Sequence, residues 1–308
     1  MKVFVTGATG FVGQAILLRL QAAGHSTRIL VRHPNSPRTC VLLSDRRTET
    51  HRGDVLDASA LQRALAGADA VIHLVGIIGE IGKNTFEKVH KCGTENVVRA
   101  AQEAGVSRFV HMSALGTRPA AVSRYHRSKW AAEEIVRASR LNYTIFRPSI
   151  IYGSGDRFVN LFAGIARWSP VLPVMGSGQS RFQPIPVEDV AACFVRALNE
   201  ARSVGQTYDL CGTEVFTLNE ILDLILGVTG RKRLKLHLPL WLARIQAALM
   251  EFTFPVVLRK PAPLNRDQLV MLQEDNVGNP WGAIELFGLE PVPFRRGIEK
   301  YLQRGARA

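Results

Sequence analysis

Tyr125 and Lys129 stand four residues apart in the stretch Ser123-Arg124-Tyr125-His126-Arg127-Ser128-Lys129. On a helix that spacing puts both on one face, where an ammonium beside a phenol favours the phenolate and lowers its pKa from about 10. A phenol so tuned trades protons near neutral pH. Well upstream, the apolar run Val3-Phe4-Val5 enters Thr6-Gly7-Ala8-Thr9-Gly10-Phe11-Val12-Gly13 and then a helical pattern. Gly7 permits a tight turn, Gly10 lets the backbone approach a pyrophosphate, and Gly13 lets the helix pack closely on the strand. The free N–H groups and positive end of that helix face the phosphates, so Thr9, Phe11 and Val12 join the glycines as expected contacts. Either feature alone is weak, since YxxxK is often a solvated pair and a glycine motif often a mere turn. Their conjunction predicts redox chemistry with a bound nucleotide.

Such residues need a scaffold, and the first half of the chain alternates short β-branched runs with longer amphipathic ones, as βαβ units do. Strands are expected over 2–6, 27–31, 49–52, 70–74, 108–112 and 143–147, and helices over 11–23, 58–65, 84–104 and 125–139. From Pro148 onward Gly and Pro become denser and the chain is expected to leave the sheet. A helix starting at Val187, a strand over 207–210 and a helix over 218–228 follow. The 308 residues therefore predict an α/β protein. Its architecture is a doubly wound parallel sheet (Rossmann fold) over residues 1–150, rejoined by 184–212, with a smaller C-terminal lobe built mainly from 151–308.

The end of the second strand bears on the choice of nicotinamide nucleotide. An acidic residue there would bind ribose hydroxyls, whereas this chain has Ile29-Leu30-Val31-Arg32-His33, with Arg38 nearby. A guanidinium can hold a 2′-phosphate through paired hydrogen bonds, so NADP(H) is expected over NAD(H). A solvated strand-end arginine is the alternative for Arg32. Asp54 and Val55, after the third strand, fall where an adenine ring would lie, and Asp54 can accept from its amino group or cap the next turn. Leu74, Val75 and Gly76 leave the fourth strand into the same cleft. Ser113 follows a strand ending at Met112, so its hydroxyl is expected at the carboxyl edge of the sheet, where ligands bind in such folds.

Thr6-Gly7-xx-Gly10-xx-Gly13, Asp54, Ser113, Tyr125-xxx-Lys129 and Arg147-Pro148-Ser149-Ile150-Ile151-Tyr152-Gly153 occur in an order that resembles a short-chain dehydrogenase/reductase of the extended or atypical type. The resemblance covers nearly the whole chain and is strongest through about Asp189. It implies that Tyr125 exchanges the proton of a substrate carbonyl or alcohol, Lys129 binds the nicotinamide ribose, and Ser113 orients the oxygen. It also implies that the backbone at Ser149, Ile150 and Ile151 meets the carboxamide. One position departs: where the family often carries an asparagine that anchors a relay water, this chain has His90, which can still hold a water. Val75-Gly76-Ile77-Ile78-Gly79, His111-Met112-Ser113-Ala114-Leu115-Gly116 and the late Pro263-Leu264-Asn265-Arg266-Asp267-Gln268-Leu269 with Asp275-Asn276 resemble a narrower branch. That branch is the nucleotide-binding accessory subunit of respiratory complex I and its bacterial relatives. It implies NADPH binding, quinone (ubiquinone) metabolism and membrane-associated redox assemblies. Two classes of function result: an oxidoreductase acting on an apolar, quinone- or isoprenoid-like molecule, or an NADPH-binding subunit with Tyr125 idle. Nucleotide-sugar epimerases and dehydratases share the plan, and their diphosphate would call for a basic clamp from Arg157, Arg167, Arg181 and Arg231.

The net charge of +13 invites nucleic acid or an anionic membrane as partner. Its densest runs are Arg231-Lys232-Arg233 with Lys235 and Arg295-Arg296, and no aromatic-interleaved basic motif accompanies them, so nucleic acid is not expected. Cys40, Cys92, Cys193 and Cys211 lack CxxC spacing, which argues against a metal site or disulfide framework and for reduced, cytoplasmic thiols. The apolar strand that begins at Val3 leaves no room for a leader. Residues 236–258 are the most apolar stretch, but Arg244, Glu251, Pro239 and Pro255 argue against a clean span of about 20 residues. An amphipathic helix packed on the protein is expected there, with a place over a ligand pocket or peripherally on a membrane surface as alternatives.

Overall fold

Short runs that are apolar on both faces are satisfied inside a parallel sheet covered by helices on each side. In the computed structural model, which describes residues 1–36, 39, 47–254, 257 and 262–305, seven strands form one sheet, with such apolar runs at its centre and the more polar Thr48–Arg52 and Gln206–Leu210 at its two edges. They are β1 (Lys2–Thr6), β2 (Ser26–Val31), β3 (Thr48–Arg52), β4 (Ala70–His73), β5 (Arg108–Met112), β6 (Asn142–Pro148) and β7 (Gln206–Leu210), all parallel, in the order β7-β6-β5-β4-β1-β2-β3. The direction of winding reverses between β1 and β4, and doubly wound sheets bind ligands outside the carboxyl ends of the strands at such a switch. Thr6 of β1 pairs with both Leu30 of β2 and His73 of β4. The chain therefore leaves all three strands at one level, with Gly7, Arg32 and Leu74 on the same edge.

The helices are α1 (Phe11–Ala22), α2 (Ala58–Leu65), α3 (Gly93–Glu103), α4 (Arg124–Ala138), α5 (Val159–Trp168), α6 (Val187–Ala197), α7 (Leu218–Thr229), α8 (Leu240–Thr253), α9 (Arg266–Gln273), α10 (Trp281–Phe287) and α11 (Phe294–Gly305). One side of the sheet packs Ile16, Leu17, Val190, Phe194 and Phe287, from α1, α6 and α10. The other packs Leu61, Val97 and Val136, from α2, α3 and α4. Helix starts follow local chemistry: Asp57 caps α2 by accepting from Ala60 N, and Ser123 caps α4 by accepting from His126 N. A third core, with Leu172, Phe182, Ile221, Phe294 and Ile298, gathers the smaller C-terminal region around α5, α7 and α11.

The expected strands and helices of the first half agree with these bounds to within a residue or two, with one exception. The helix expected over 84–104 is in two parts, a π-helical segment Glu87–Cys92 that runs into α3. Such segments widen a helix locally and gather at functional sites. The stretch 236–258 also differs from expectation. Leu234, Leu236 and Leu238 alternate with Lys235 and His237, a period of two, and form a strand parallel to Val171–Met175 before Pro239 opens α8. Nor does α8 pack by its bulky side: only Ala243 and Ala247 are buried, because the small residues allow the closest approach to α9. Among the described residues no helix is long and apolar enough to cross a membrane, and no His, Cys, Asp and Glu cluster could hold a metal. Arg38, Cys40, Pro255 and Leu258 lie outside the described residues.

Candidate active site

The chain turns out of β1 at Gly7, whose φ is +79°. A Cβ there would sit 3.2 Å from Leu74 Cβ and 3.3 Å from Val75 N, so glycine lets the turn lie against the loop leaving β4. Gly13 is tighter still: its Cβ would fall 2.2 Å from Gly7 O and 2.7 Å from Ala8 Cα. Gly10 is exposed and precedes α1 in an extended conformation with no side-chain cap. Helix geometry leaves the N–H groups of Phe11, Val12 and Gly13 without intrahelical acceptors. These features together fit a dinucleotide pyrophosphate. Thr9 closes the turn, its carbonyl accepting from Gln14 Nε2, and the Phe11 ring covers Gly153, whose Cβ would lie 3.2 Å from it.

Arg32 is exposed at this edge and has no hydrogen-bond partner among the described residues. Asp54 does cap the next turn, Oδ1 accepting from Leu56 N at 3.0 Å. Val55 is buried under α3, and its carbonyl accepts from Asn96 Nδ2.

Lys129 of α4 is buried, and its ammonium donates to Met112 O at the end of β5. A Cβ on Gly76 would lie 4.0 Å from Lys129 Nζ and 3.5 Å from His90 Nε2, and the His90 ring meets Tyr125 edge-on at 5.4 Å. The glycine turn, Leu74 to Gly76, Lys129, His90 and Tyr125 thus form one continuous run of contacts. The phenol is not tuned downward, however. Burial, with no offsetting charge, pushes Tyr125 up to about 12, while burial draws Lys129 down to about 8 against the opposing pull of Glu133. One donor of the amine goes to a backbone carbonyl, and burial alone sets the direction in which the phenol shifts.

His90 corrects a second expectation. Its Nε2 accepts from Ile77 N at 2.9 Å, which places the proton on Nδ1, and Nδ1 pairs with Ser128 Oγ at 2.8 Å. Ser128 in turn donates to Tyr125 O at 2.7 Å. Both ring nitrogens are engaged, so His90 ties the loop after β4 to α4 and has no site left for a relay water. Burial first, then the charge of Lys129, lowers it to about 2, and the ring is neutral.

Ser113 is buried, with its hydroxyl 3.5 Å from Thr117 Oγ1 and within reach of the Glu133 carboxylate. Glu133 accepts from Arg147 Nε at 2.8 Å and Nη2 at 2.6 Å, and from Arg137. Burial would raise this carboxyl, but hydrogen bonds from Arg147 and Ser113 and the two guanidinium charges outweigh it and hold it low. A fixed anion therefore lies behind Ser113 and Lys129. Arg147 stands in a motif that carries the family resemblance, yet nothing in the sequence announces that it pairs with Glu133.

The C-terminal region closes the other side. Asp267 of α9 accepts from Arg124 N at 2.7 Å, Tyr125 N at 2.9 Å and Ser123 Oγ at 2.8 Å, a carboxylate at the positive end of the helix that bears the phenol. Asn265 Nδ2 donates to Ile78 O. Ser149 donates to Asn276 Oδ1 at 2.6 Å, and Asn276 Nδ2 reaches Leu115 O, while Ile150 and Ile151 are half-buried against different cores. Of the four arginines expected as a diphosphate clamp, Arg181 is paired with Asp275 and Arg167 lies over its neighbour Trp168. Arg157 and Arg231 have no side-chain hydrogen bond among the described residues.

A phosphate-binding turn at the switch of a doubly wound sheet defines a dinucleotide-binding protein. The profile of a family described as NAD(P)H-binding matches residues 7–201, and the chain belongs to that family, within the extended short-chain dehydrogenases/reductases. It is 32% identical over 298 residues to NADH dehydrogenase (ubiquinone) 1 alpha subcomplex subunit 9, mitochondrial, of Arabidopsis thaliana, covering 94% of this chain and 74% of that subunit. It is 40% identical over 195 residues to a ceramide reductase of Caulobacter vibrioides, covering 63% of this chain and 59% of the reductase. The fold is that of UDP-glucose 4-epimerase of Thermotoga maritima, with a TM-score of 0.77 over 100% of this chain and 99% of the epimerase at 18% identity.

Proposed function

We propose that the protein is an NADP(H)-dependent oxidoreductase acting on the carbonyl/alcohol pair of an apolar, quinone- or isoprenoid-like molecule. One observation carries the reading: a continuous run of contacts leads from the glycine turn through Gly76 to Lys129, His90 and Tyr125. Bound NADP(H) would supply or accept the hydride. Lys129, anchored on Met112 O, presents a fixed positive end to ribose hydroxyls. Tyr125 gives its proton to the carbonyl oxygen during reduction, and a phenol held near 12 favours that donor role over proton abstraction. Ser113 orients the same oxygen, and Glu133 keeps the serine hydroxyl pointed and the Lys129 charge in place. Arg32 holds the 2′-phosphate of NADP(H). The similarity to a ceramide reductase supports a lipid-like substrate. A sugar diphosphate is less well supported, because Arg181 and Arg167 are committed elsewhere.

A second reading has its own support. The spent nitrogens of His90 and the similarity to a complex I subunit favour an NADPH-binding component of a respiratory assembly in which Tyr125 is idle. NADPH turnover with a panel of quinones and carbonyls, for wild type and Tyr125→Phe, separates the two. The first reading expects wild-type turnover that Tyr125→Phe lowers by about 10²-fold or more with nucleotide binding retained. No wild-type turnover across the panel moves the function to the second.

A further inference from the structure

Among the described residues, eight of the eighteen exposed large apolar side chains lie within residues 234–257. On α8, Trp241, Ile245, Leu249 and Phe252 follow one another at spacings of four, four and three, which makes a single stripe, and each is at least 59% exposed. The opposite side of the helix, Ala243 and Ala247, meets Leu269, Met175 and Leu264. Just before α8, the exposed Leu234 donates its N–H to Pro170 O, which brings it beside the turn that carries Trp168, 83% exposed. Charge gathers in the same stretch. Residues 231–266 contain eight Lys and Arg against one acid, Glu251, a net +7 out of the chain's +13. Glu251 is paired with Arg266 and Lys235 with Asp223, while Arg259 and Lys260 lie outside the described residues.

A bulky apolar stripe with an aromatic residue toward each end, in a stretch of sequence with an excess of cations, matches a helix lying in the plane of a bilayer, its apolar side among acyl chains and the cations at anionic headgroups. A protein partner fits less well, since the buried centres of protein interfaces are depleted in charge and such a partner would need acidic groups ringing its apolar patch. Among the described residues no helix can cross a membrane, so the contact is peripheral.

We propose that α8 docks the protein on an anionic phospholipid bilayer. The surface is coupled to the active end by adjacent residues: Glu251 of α8 holds Arg266, and the next residue, Asp267, caps α4 at Tyr125. Docking sets the cleft next to the lipid phase, where an apolar carbonyl compound resides. This delivery role rests on the oxidoreductase reading, whereas the docking does not.

The full chain is sedimented with vesicles of phosphatidylglycerol and phosphatidylcholine, and with phosphatidylcholine alone, as wild type and as Trp241→Ser/Phe252→Ser. Both positions are exposed, and NADPH binding checks that the variant is folded. Wild type is expected to pellet with the anionic vesicles, less so in high salt, and the double variant to bind about tenfold or more weakly. Quenching of tryptophan emission by brominated acyl chains, reduced in Trp241→Phe, reports insertion of the stripe without relying on the polar variant. Three results overturn the proposal: no wild-type binding to anionic vesicles, equal binding by wild type and double variant, or lipid-free self-association that the double variant abolishes. Vesicle binding without turnover would keep the anchor and remove the oxidoreductase reading. Turnover in detergent without vesicle binding would do the reverse.

Discussion

Helices α1 and α8 have similar lengths and are both rich in leucine and alanine, yet they sit in the molecule in opposite ways. Helix α1 buries Gly13, Ile16, Leu17 and Leu20, because the sheet lies on one side of it and α6 on another. Helix α8 buries Ala243 and Ala247 alone and leaves its large side chains to solvent. Apolar periodicity says that a helix has a face to cover and nothing about what covers it. Buried methyls of alanine add little area, so α8 contributes little to folding, whereas α1 is part of what holds the nucleotide cleft in shape.

The largest effect expected from this contrast is in α1. Leu17→Ala should cost about 2–5 kcal/mol in denaturant unfolding, since the fully buried side chain leaves a cavity between sheet and helix. A loss under about 1 kcal/mol would mean that α1 is no better anchored than α8.

The site shares the burial of the α1 side, and pH should reveal it. Lys129 titrates near 8 in the folded chain against an ordinary 10.5. The buried charge opposes folding below about pH 8, and the opposition is relieved as pH rises from 8 toward 10.5, because over that window the unfolded chain binds the extra proton. Stability should rise there by about 3 kcal/mol relative to Lys129→Met. A parallel pH dependence in the variant would show that Lys129 is not desolvated.

Nucleotide binding is next in size. Arg32→Ala should weaken NADPH by about tenfold or more and NADH much less, a charge-assisted pair being worth about 1.5–3 kcal/mol; equal losses in calorimetry would remove the NADP(H) preference.

Asp267 joins the two regions, and Asp267→Ala should cost about 1 kcal/mol through loss of the α4 cap. It should also lower kcat with little change in nucleotide affinity, where a purely structural role would leave kcat intact. The smallest effect belongs to α8: Ile245→Ser should shift stability by no more than about 0.5 kcal/mol, and a cooperative loss would place a covering element over the stripe.

What the chain reveals in its letters is what depends on near neighbours. The glycine turn, the strands of the first half and the helix expected over 125–139 were legible because turns and periodicity are local. The fate of Tyr125 was not, since burial by Phe86 and His90, distant in sequence, decides its proton affinity. His90 stood out as a departure, but its strut role needs Ile77 and Ser128 on two other elements. The strand Leu234–Leu238 was hidden inside an apolar run that also fits a helix, and only its period of two separates them.

Asp267 follows Tyr125 by 142 residues. At a synthesis rate of about 5–20 residues per second, the turn bearing the phenol emerges from the ribosome roughly seven to thirty seconds before its cap. The nucleotide half can take shape while translation continues, but the first turn of α4, with Tyr125, is capped only near the end. On the proposed oxidoreductase reading, a nascent chain holding its nucleotide would therefore stay chemically silent until α9 has been made.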